Sequence, residues 1–224
     1  MKYENITEGV FLSRPNRFIA NVLIDGKEEV VHVKNTGRCR ELLIPGVKVF
    51  LEKSNNIERK TKYDLVAVYK GDVLYNIDSL APNKVFGEYI TSLFKHVKLV
   101  KSECKYKNSR FDFYVEYEDK KAFVEVKGVT LEKDGVMLFP DAPTERGVKH
   151  LGELCECMKE GYEAYAVFVI AADAGAYFTP NEERHKEFAE SLRKAERQGV
   201  NVLAFKCTVC KDSINIKDNV EVRL

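Results

Sequence analysis

The sequence of 224 residues has no tryptophan, only 3 methionines and 6 prolines, and almost no net charge: 36 Lys+Arg stand against 35 Asp+Glu, a formal charge of +1. That balance excludes a globally basic, histone-like polymer, so any nucleic-acid site has to be a local patch. Long apolar runs are missing as well. The longest uncharged one, Ala164 to Ala172, has nine residues, far short of the roughly 20 that cross a bilayer. The opening MKYENITEGVFL carries acidic residues where a signal peptide is apolar. The expectation is a cytoplasmic protein with no membrane partner, nucleoid-associated if it binds DNA. What is present is core material: 45% hydrophobic residues, with 13 Phe and 11 Tyr, which excludes wholesale disorder.

Six cysteines, Cys39, Cys104, Cys155, Cys157, Cys207 and Cys210, are weak support for disulfides without a secretion signal. Cys207-x-x-Cys210 has zinc-knuckle spacing, and Cys155-x-Cys157 is its nearest counterpart. The latter falls in an expected helix, where residues two apart point in different directions, so a four-thiolate metal site and ordinary thiols both stay open.

From Tyr3 to about Asn76 short alternating segments are separated by turn residues. Phe18 to Ile24 leads through Asp25-Gly26 into Val30 to Val33, a hairpin pattern. Further strands are expected at Val47 to Leu51, Tyr63 to Tyr69 and Val73 to Ile77, which suggests a small OB-like barrel or a related sandwich. Near residue 82 the pattern changes. Asn83 reads as an N-cap for a helix with Val85, Tyr89, Ile90, Leu93 and Phe94 at helical spacing. Strands at Lys98 to Tyr106, Arg110 to Glu116 and Ala122 to Lys127 follow. Next come a helix from Thr144 to Glu160, a strand from Tyr165 to Ala171, a helix from Asn181 to Gln198, and a strand from Val200 to Lys206. This order describes a mixed α/β sheet covered on both faces, and the expected domains are 1–82 and 83–224.

The chemistry concentrates on two strands. Glu125 and Lys127, two apart, share one face of a strand, and across a hairpin Asp112 lies within reach. Two carboxylates can hold Mg²⁺ or Mn²⁺. The lysine can orient or deprotonate a water and offset phosphate charge. A cross-strand salt bridge has the same pattern. Glu88, on the preceding helix, is a candidate additional acid or an ordinary solvated one. Thr144 is the expected N-cap of the next helix, which puts Arg146, Lys149 and His150 in its first turns. Cations there oppose the helix dipole, so they suggest either an anionic ligand or plain surface charge.

The strings RPNRF (Arg14 to Phe18), NTGR (Asn35 to Arg38), ELLIPG (Glu41 to Gly46), RFDF (Arg110 to Phe113), VEVKGVTL (Val124 to Leu131) and FPDAPTERGVKHLGEL (Phe139 to Leu154) closely resemble the sugar fermentation stimulation protein A family, from about Arg14 to Phe205. The resemblance implies an N-terminal OB-like domain and a C-terminal domain of the PD-(D/E)xK restriction-endonuclease-like type. It also implies DNA binding of limited sequence specificity and a part in regulating sugar, notably maltose, metabolism. Its nuclease-type motif falls on Asp112, Glu125 and Lys127, with Glu88 as the helix acid and Lys149 or His150 from the later helix. Phe111 stands where the motif's name has proline.

For DNA contact the candidates are Arg14, Arg17, Lys34, Asn35, Thr36, Arg38 and Arg40 in the first domain and Arg110 and Arg146 in the second. Phe18 and His32 are available for stacking, although Phe18 is expected in the core. Lys95, Lys98, Lys101, Lys105, Lys107 and Arg110 make a second basic stretch suited to phosphates or to solvent. Three functions fit: a Mg²⁺- or Mn²⁺-dependent DNA nuclease, a DNA-binding regulator that does not cleave, and a regulator tuned by a small ligand or metal between the domains. A homodimer is compatible with the sequence. The absence of a helix-turn-helix pattern disfavours sequence-reading regulation.

Overall fold

A computed structural model describes all 224 residues. The first sheet contains β1 (Ile6–Ser13), β2 (Ile19–Ile24), β3 (Lys27–Val33), β4 (Lys48–Lys53), β5 (Tyr63–Lys70) and β6 (Val73–Asn76). Its order is β3-β2-β1-β4-β5-β6, and β3 also pairs with β5, which closes β1 to β5 into a barrel with β6 hung on β5. The β2–β3 hairpin turns on Asp25 (φ 48°) and Gly26 (φ 75°). Both are left-handed, which suits the twist of a two-residue hairpin. Strand β1 is an addition to the sequence reading. Gly9 interrupts its pattern, and it is needed there: a Cβ would sit 2.6 Å from Val22 Cγ1 and 3.0 Å from Leu23 O.

The second part starts with α1 (Ala81–Leu93), then β7 (Val97–Tyr106), β8 (Ser109–Tyr117), β9 (Lys120–Val129), β10 (Leu131–Lys133) and β11 (Val136–Phe139). It continues through α2 (Glu145–Lys159), β12 (Glu163–Ile170), β13 (Tyr177–Pro180), α3 (Lys186–Arg197), β14 (Asn201–Cys210) and β15 (Ser213–Val222). The sheet order is β10-β11-β13-β15-β14-β12-β9-β8-β7. Strand β12 is parallel to both β9 and β14, while β7, β8 and β9 form an antiparallel meander. One sheet face packs on α1, the other on α2 and α3. The expected OB-like barrel and restriction-endonuclease-like mixed sheet are thus both present. Strands β10, β11, β13 and β15 are additions, and α3 is shorter than its periodicity predicts. Asn181 closes turns onto Arg184 and His185 and donates its side-chain amide to Pro140 O at 3.1 Å.

The two parts share apolar core. Phe50, Val66 and Leu74 of the barrel lie in one cluster with Phe86 and Ile90 of α1 and Val167 and Phe205 of the large sheet. The first residues of the chain cross to the second part: Tyr3 N donates to Asp212 O at 2.8 Å, and Lys2 bridges Ser213. All six cysteines are free. Cys157 is buried on the α2 side of the sheet and Cys207 on the α1 side, so the sheet separates the pairs that a four-thiolate site needs together. No helix is long and apolar enough to cross a membrane.

Candidate nuclease-type site

Side chains of β9 alternate across the sheet: Val124 and Val126 enter the α1-side core and Phe123 the α2-side core, which leaves Glu125 and Lys127 on the α2 face. Strand β8 pairs with β9 from Phe113↔Val124 to Tyr117↔Lys120 and goes no further. Phe113 is on the α1 side, yet Phe111, two residues earlier, packs on the α2 side. Alternation therefore breaks between them, and Asp112 sits at the break. Its carboxylate replaces the lost ladder contact: Oδ2 accepts from the Val126 N–H at 2.7 Å, and Oδ1 from Asn83 Nδ2 at 2.6 Å.

Glu125 is buried, at 5% exposure. Its Oε1 accepts from Lys127 Nζ at 2.5 Å and from His150 Nδ1. His150 is also buried, and its Nε2 lies 3.3 Å from Nε of Arg146, one turn earlier on α2. With Nδ1 turned to Glu125, Nε2 is the ring nitrogen left to accept from Arg146. Helix α2 starts where the sequence predicts, with Thr144 Oγ1 accepting from Gly147 N at 3.1 Å. That start sets His150 over the sheet.

Burial pushes the Glu125 carboxyl up, but the His150 hydrogen bond and the Lys127 ammonium outweigh it and hold Glu125 below the usual carboxylate range. Asp112 goes the other way. Burial, and then the charge of Glu125, push it up to about 6, against the Val126 N–H, Lys127 and Asn83. Glu125 Oε2 is buried without a hydrogen-bond partner, an omission that costs roughly 1–3 kcal/mol. Two repelling carboxylates, one with an orphaned buried oxygen, make a donor set that fits a hard divalent cation.

Of the residues expected at the centre, the structure brings together Asp112, Glu125, Lys127 and His150. Lys149 is exposed one residue away, with Nζ 3.4 Å from Asn108 O, and it lines a groove instead. Glu88 is a correction: it is exposed and pairs with the amino group of Met1 at 2.5 Å. The α1 residue that meets the centre is Asn83, five positions earlier. Asn83 was expected as the N-cap, but Leu80 holds that place without a side-chain cap bond, because the helix begins at Ala81 and Pro82. The groove beside His150 has a volume of about 730 Å³ and no hydrophobic lining; Lys105, Lys107, Arg110, Arg146 and Lys149 border it. Lys107 pairs with Glu156 and Glu160, and Arg110 with Glu103. No acidic side chain lies within ion-pair distance of Lys105 or Arg146.

A second grouping, Glu145, His185 and Glu187, gathers three ligand atoms within 4.8 Å of one another. His185 Nδ1 accepts from Thr144 N at 3.3 Å, so Nε2, the nitrogen facing the carboxylates, carries the proton and has no lone pair for a cation.

The barrel needs more correction. Arg14 is not free for DNA: its guanidinium donates to the carbonyls of Asn35 at 2.6 Å, Gly37 and Arg38 at 2.7 Å, and Arg17 at 2.8 Å. Lys34 lies 3.4–3.5 Å from Asp78, Asp64 and Glu52. Asn35 spends its amide on Ile77 O and Gly37 N. His32 pairs with Asp64 at 2.8 Å. These four build the loop and the charge cluster beneath it. Arg17, Arg38 and Arg40 are exposed around a groove of about 520 Å³, and Thr36 is exposed in the crevice between the domains. Phe18 is 50% exposed rather than core. It precedes β2, held out by an Asn16 side chain that accepts from the Phe18 and Ile19 N–H groups at 2.8 and 3.2 Å, and the Arg17 guanidinium lies 4.9 Å from its ring.

Comparison with known proteins agrees with this layout. Residues 12–77 match the family model "SfsA N-terminal OB domain", and residues 80–213 match "Sugar fermentation stimulation protein RE domain". Sugar fermentation stimulation protein homologs from Clostridium beijerinckii and Desulfitobacterium hafniense are each 60% identical; the first alignment covers 100% of both chains, the second 100% of this chain and 99% of the relative. The solved Pyrococcus furiosus SfsA in complex with Ca²⁺ superposes with a TM-score of 0.89 at 26% identity, over 100% of this chain and 98% of that one.

Proposed function

The chain belongs to the sugar fermentation stimulation protein family, and from that membership and the geometry at Asp112 we propose that it binds DNA and hydrolyses its phosphodiester bonds with Mg²⁺ or Mn²⁺. The observation that carries the reading is the buried, unpartnered Glu125 Oε2 on a carboxylate close enough to Asp112 for the two to repel. Glu153 Oε2 is also buried without a partner; what sets Glu125 apart is the neighbouring Asp112, whose carboxyl its charge helps to push up. The Pyrococcus furiosus relative, solved in complex with Ca²⁺, is a precedent for a divalent cation on this fold.

Asp112 and Glu125 would hold the cation, which supplies Lewis-acid polarisation of the phosphoryl oxygen and lowers the pKa of a water. Asn83 and the Val126 N–H fix the Asp112 carboxylate in place. His150 pins Glu125 Oε1, so that Oε2 is the oxygen left to ligate. Lys127, one-fifth exposed and in contact with Glu125, is placed to orient the attacking water and to offset charge on the phosphate. Arg146, Lys105 and Lys149 attract flanking phosphates without reading sequence.

The test is incubation of the protein and its Asp112→Asn and Lys127→Ala variants with labelled DNA in Mg²⁺, Mn²⁺ or EDTA. Metal-dependent cutting is expected, lost in both variants, with binding retained or stronger for Asp112→Asn because a negative charge near phosphate is removed. Tight binding with no cutting in any metal overturns the nuclease and leaves a DNA-binding regulator on a nuclease-like scaffold.

A further inference from the structure

The two cationic grooves differ in what they can recognise. The second-domain groove is lined mainly by cations, with no hydrophobic side chain and no phenyl or phenol ring, which suits it to a phosphate backbone. The barrel groove has arginines too, and Phe18, next in the chain to the lining residue Arg17, stands half exposed with the Arg17 guanidinium over its ring. A flat ring with a cation beside it is a stacking platform, and only unpaired bases offer it a face.

The chain also connects the grooves through the catalytic strand. Arg38 lines the barrel groove, while its neighbours Thr36 and Gly37 line the interdomain crevice. Across that crevice Asp141 approaches Gly37 so closely that a Cβ there would lie 2.8 Å from its carboxylate. On the second-domain side the crevice is lined by Gly128, directly after Lys127, and by Asp141, shortly before Arg146. The crevice thus joins the barrel loop that carries Arg38 to the end of the strand that carries Glu125 and Lys127, while His150 of the same centre lines the second-domain groove.

We propose that the DNA this protein acts on is a junction: an unpaired strand seated in the barrel groove with a base on Phe18, and the adjoining duplex with its phosphates along Lys105 and Arg146. This rests on the DNA-cleaving reading above, but binding tests it separately. Anisotropy titrations in EDTA use a single strand, a blunt duplex, and duplexes with a 5′ or a 3′ single-stranded tail. A tailed duplex is expected to bind at least about tenfold more tightly than the blunt duplex or the single strand, since the second contact becomes intramolecular. Phe18→Ala, and independently Arg17→Ala, should bring the ratio of tailed to blunt affinity down towards one, while Phe18→Tyr keeps it. Equal affinity for tailed and blunt DNA, or a ratio untouched by Phe18→Ala, overturns the junction. Cleavage in Mn²⁺ then separates the two claims. Equal cutting of blunt and tailed DNA refutes the junction and keeps the nuclease, whereas a tail preference in binding with no cutting keeps the junction and refutes the nuclease.

Discussion

Two buried charge clusters sit in the two halves of this molecule, and they are built to opposite rules. In the barrel, Asp64 Oδ1 accepts from Arg59 at 2.6 Å and faces His32 at 2.8 Å, while Oδ2 accepts from Arg59 at 3.0 Å and faces Lys34 at 3.5 Å. Both oxygens are satisfied, and the carboxyl is held down at about 2: burial opposes its charge, but the bonds from Arg59 and His32 outweigh it. In the second domain Glu125 has two donors on one oxygen and none on the other, and its neighbour Asp112 is driven upward instead. A cluster that completes itself is structural. One that leaves an acceptor buried and open beside a second, repelled carboxylate is suited to a cation.

The sharpest way to break this contrast is to neutralise one acid from each cluster. Glu125→Gln should reduce any cleavage by on the order of a thousandfold or more, and abolish Ca²⁺ binding in calorimetry, while lowering the thermal midpoint less than Asp64→Ala does. The bonds from His150 and Lys127 that favour the Glu125 charge are weakened, but so is its push on Asp112. Asp64→Ala should do the reverse, costing about 2 kcal/mol of stability because the part-buried Arg59 and His32 lose their carboxylate, with cleavage per folded molecule intact. If Asp64→Ala left stability untouched, or Glu125→Gln unfolded the protein, the distinction between the clusters would be wrong.

Acid titration probes the same contrast with a smaller effect. The Asp64 pKa is lower folded than unfolded, so its contribution to stability is complete above about pH 4, the ordinary aspartate range. It is lost as pH falls through about 2. Chemical denaturation should show wild-type stability dropping over that window, and Asp64→Asn should remove this part of the slope. A slope identical in the two proteins would mean that Asp64 is no better satisfied folded than unfolded.

How much of this was legible in the sequence differs between the clusters for a physical reason. Glu125 and Lys127 share a face by period-two alternation, and the short turn of the hairpin brings Asp112 near them, although its bond to the Val126 N–H, where strand pairing ends, shows no local pattern. His150 follows from the Thr144 cap. The Lys34 cluster joins residues 18 to 44 positions apart in sequence, and no local pattern distinguishes a lysine that serves Asp78 from one that serves a phosphate. Arg14 misleads for the same reason, since its four partners are carbonyls that any sequence supplies. Phe18 misleads by composition: an aromatic beside a strand looks like core until Asn16 is seen to turn the chain before Ile19. The barrel was legible through its Asp25-Gly26 hairpin and alternating strands, whereas β1 was hidden by Gly9, whose missing side chain makes room for Val22.

Asn83 sharpens the comparison at an intermediate level. It is the only side chain donating to Asp112 Oδ1, a partner of a ligand rather than a ligand, and such partners are worth roughly 10- to 100-fold in metal affinity. Asn83→Ala should weaken Mn²⁺ or Ca²⁺ binding by about tenfold in a calorimetric titration. Asn83→Asp should fail to rescue it at neutral pH, because it sets a third carboxylate against Asp112 where a donor is required. Full rescue by aspartate would show that position 83 ligates the cation directly.

The smallest effect belongs to Glu88, the helix acid that the family resemblance implies at the metal and that the structure places elsewhere. Its helix carries Asn83 towards Asp112, and five residues further on the side chain has rotated away to the exposed amino group of Met1. An exposed ion pair of this kind is worth about 0–1 kcal/mol. Glu88→Gln should therefore shift the denaturation midpoint barely beyond error, with cation affinity and any cleavage rate at wild-type values, in contrast to Glu125→Gln with the identical chemical change. A loss of cation binding in Glu88→Gln would mean that α1 reorients when the metal enters. The acid from that helix would then have to be restored to the site.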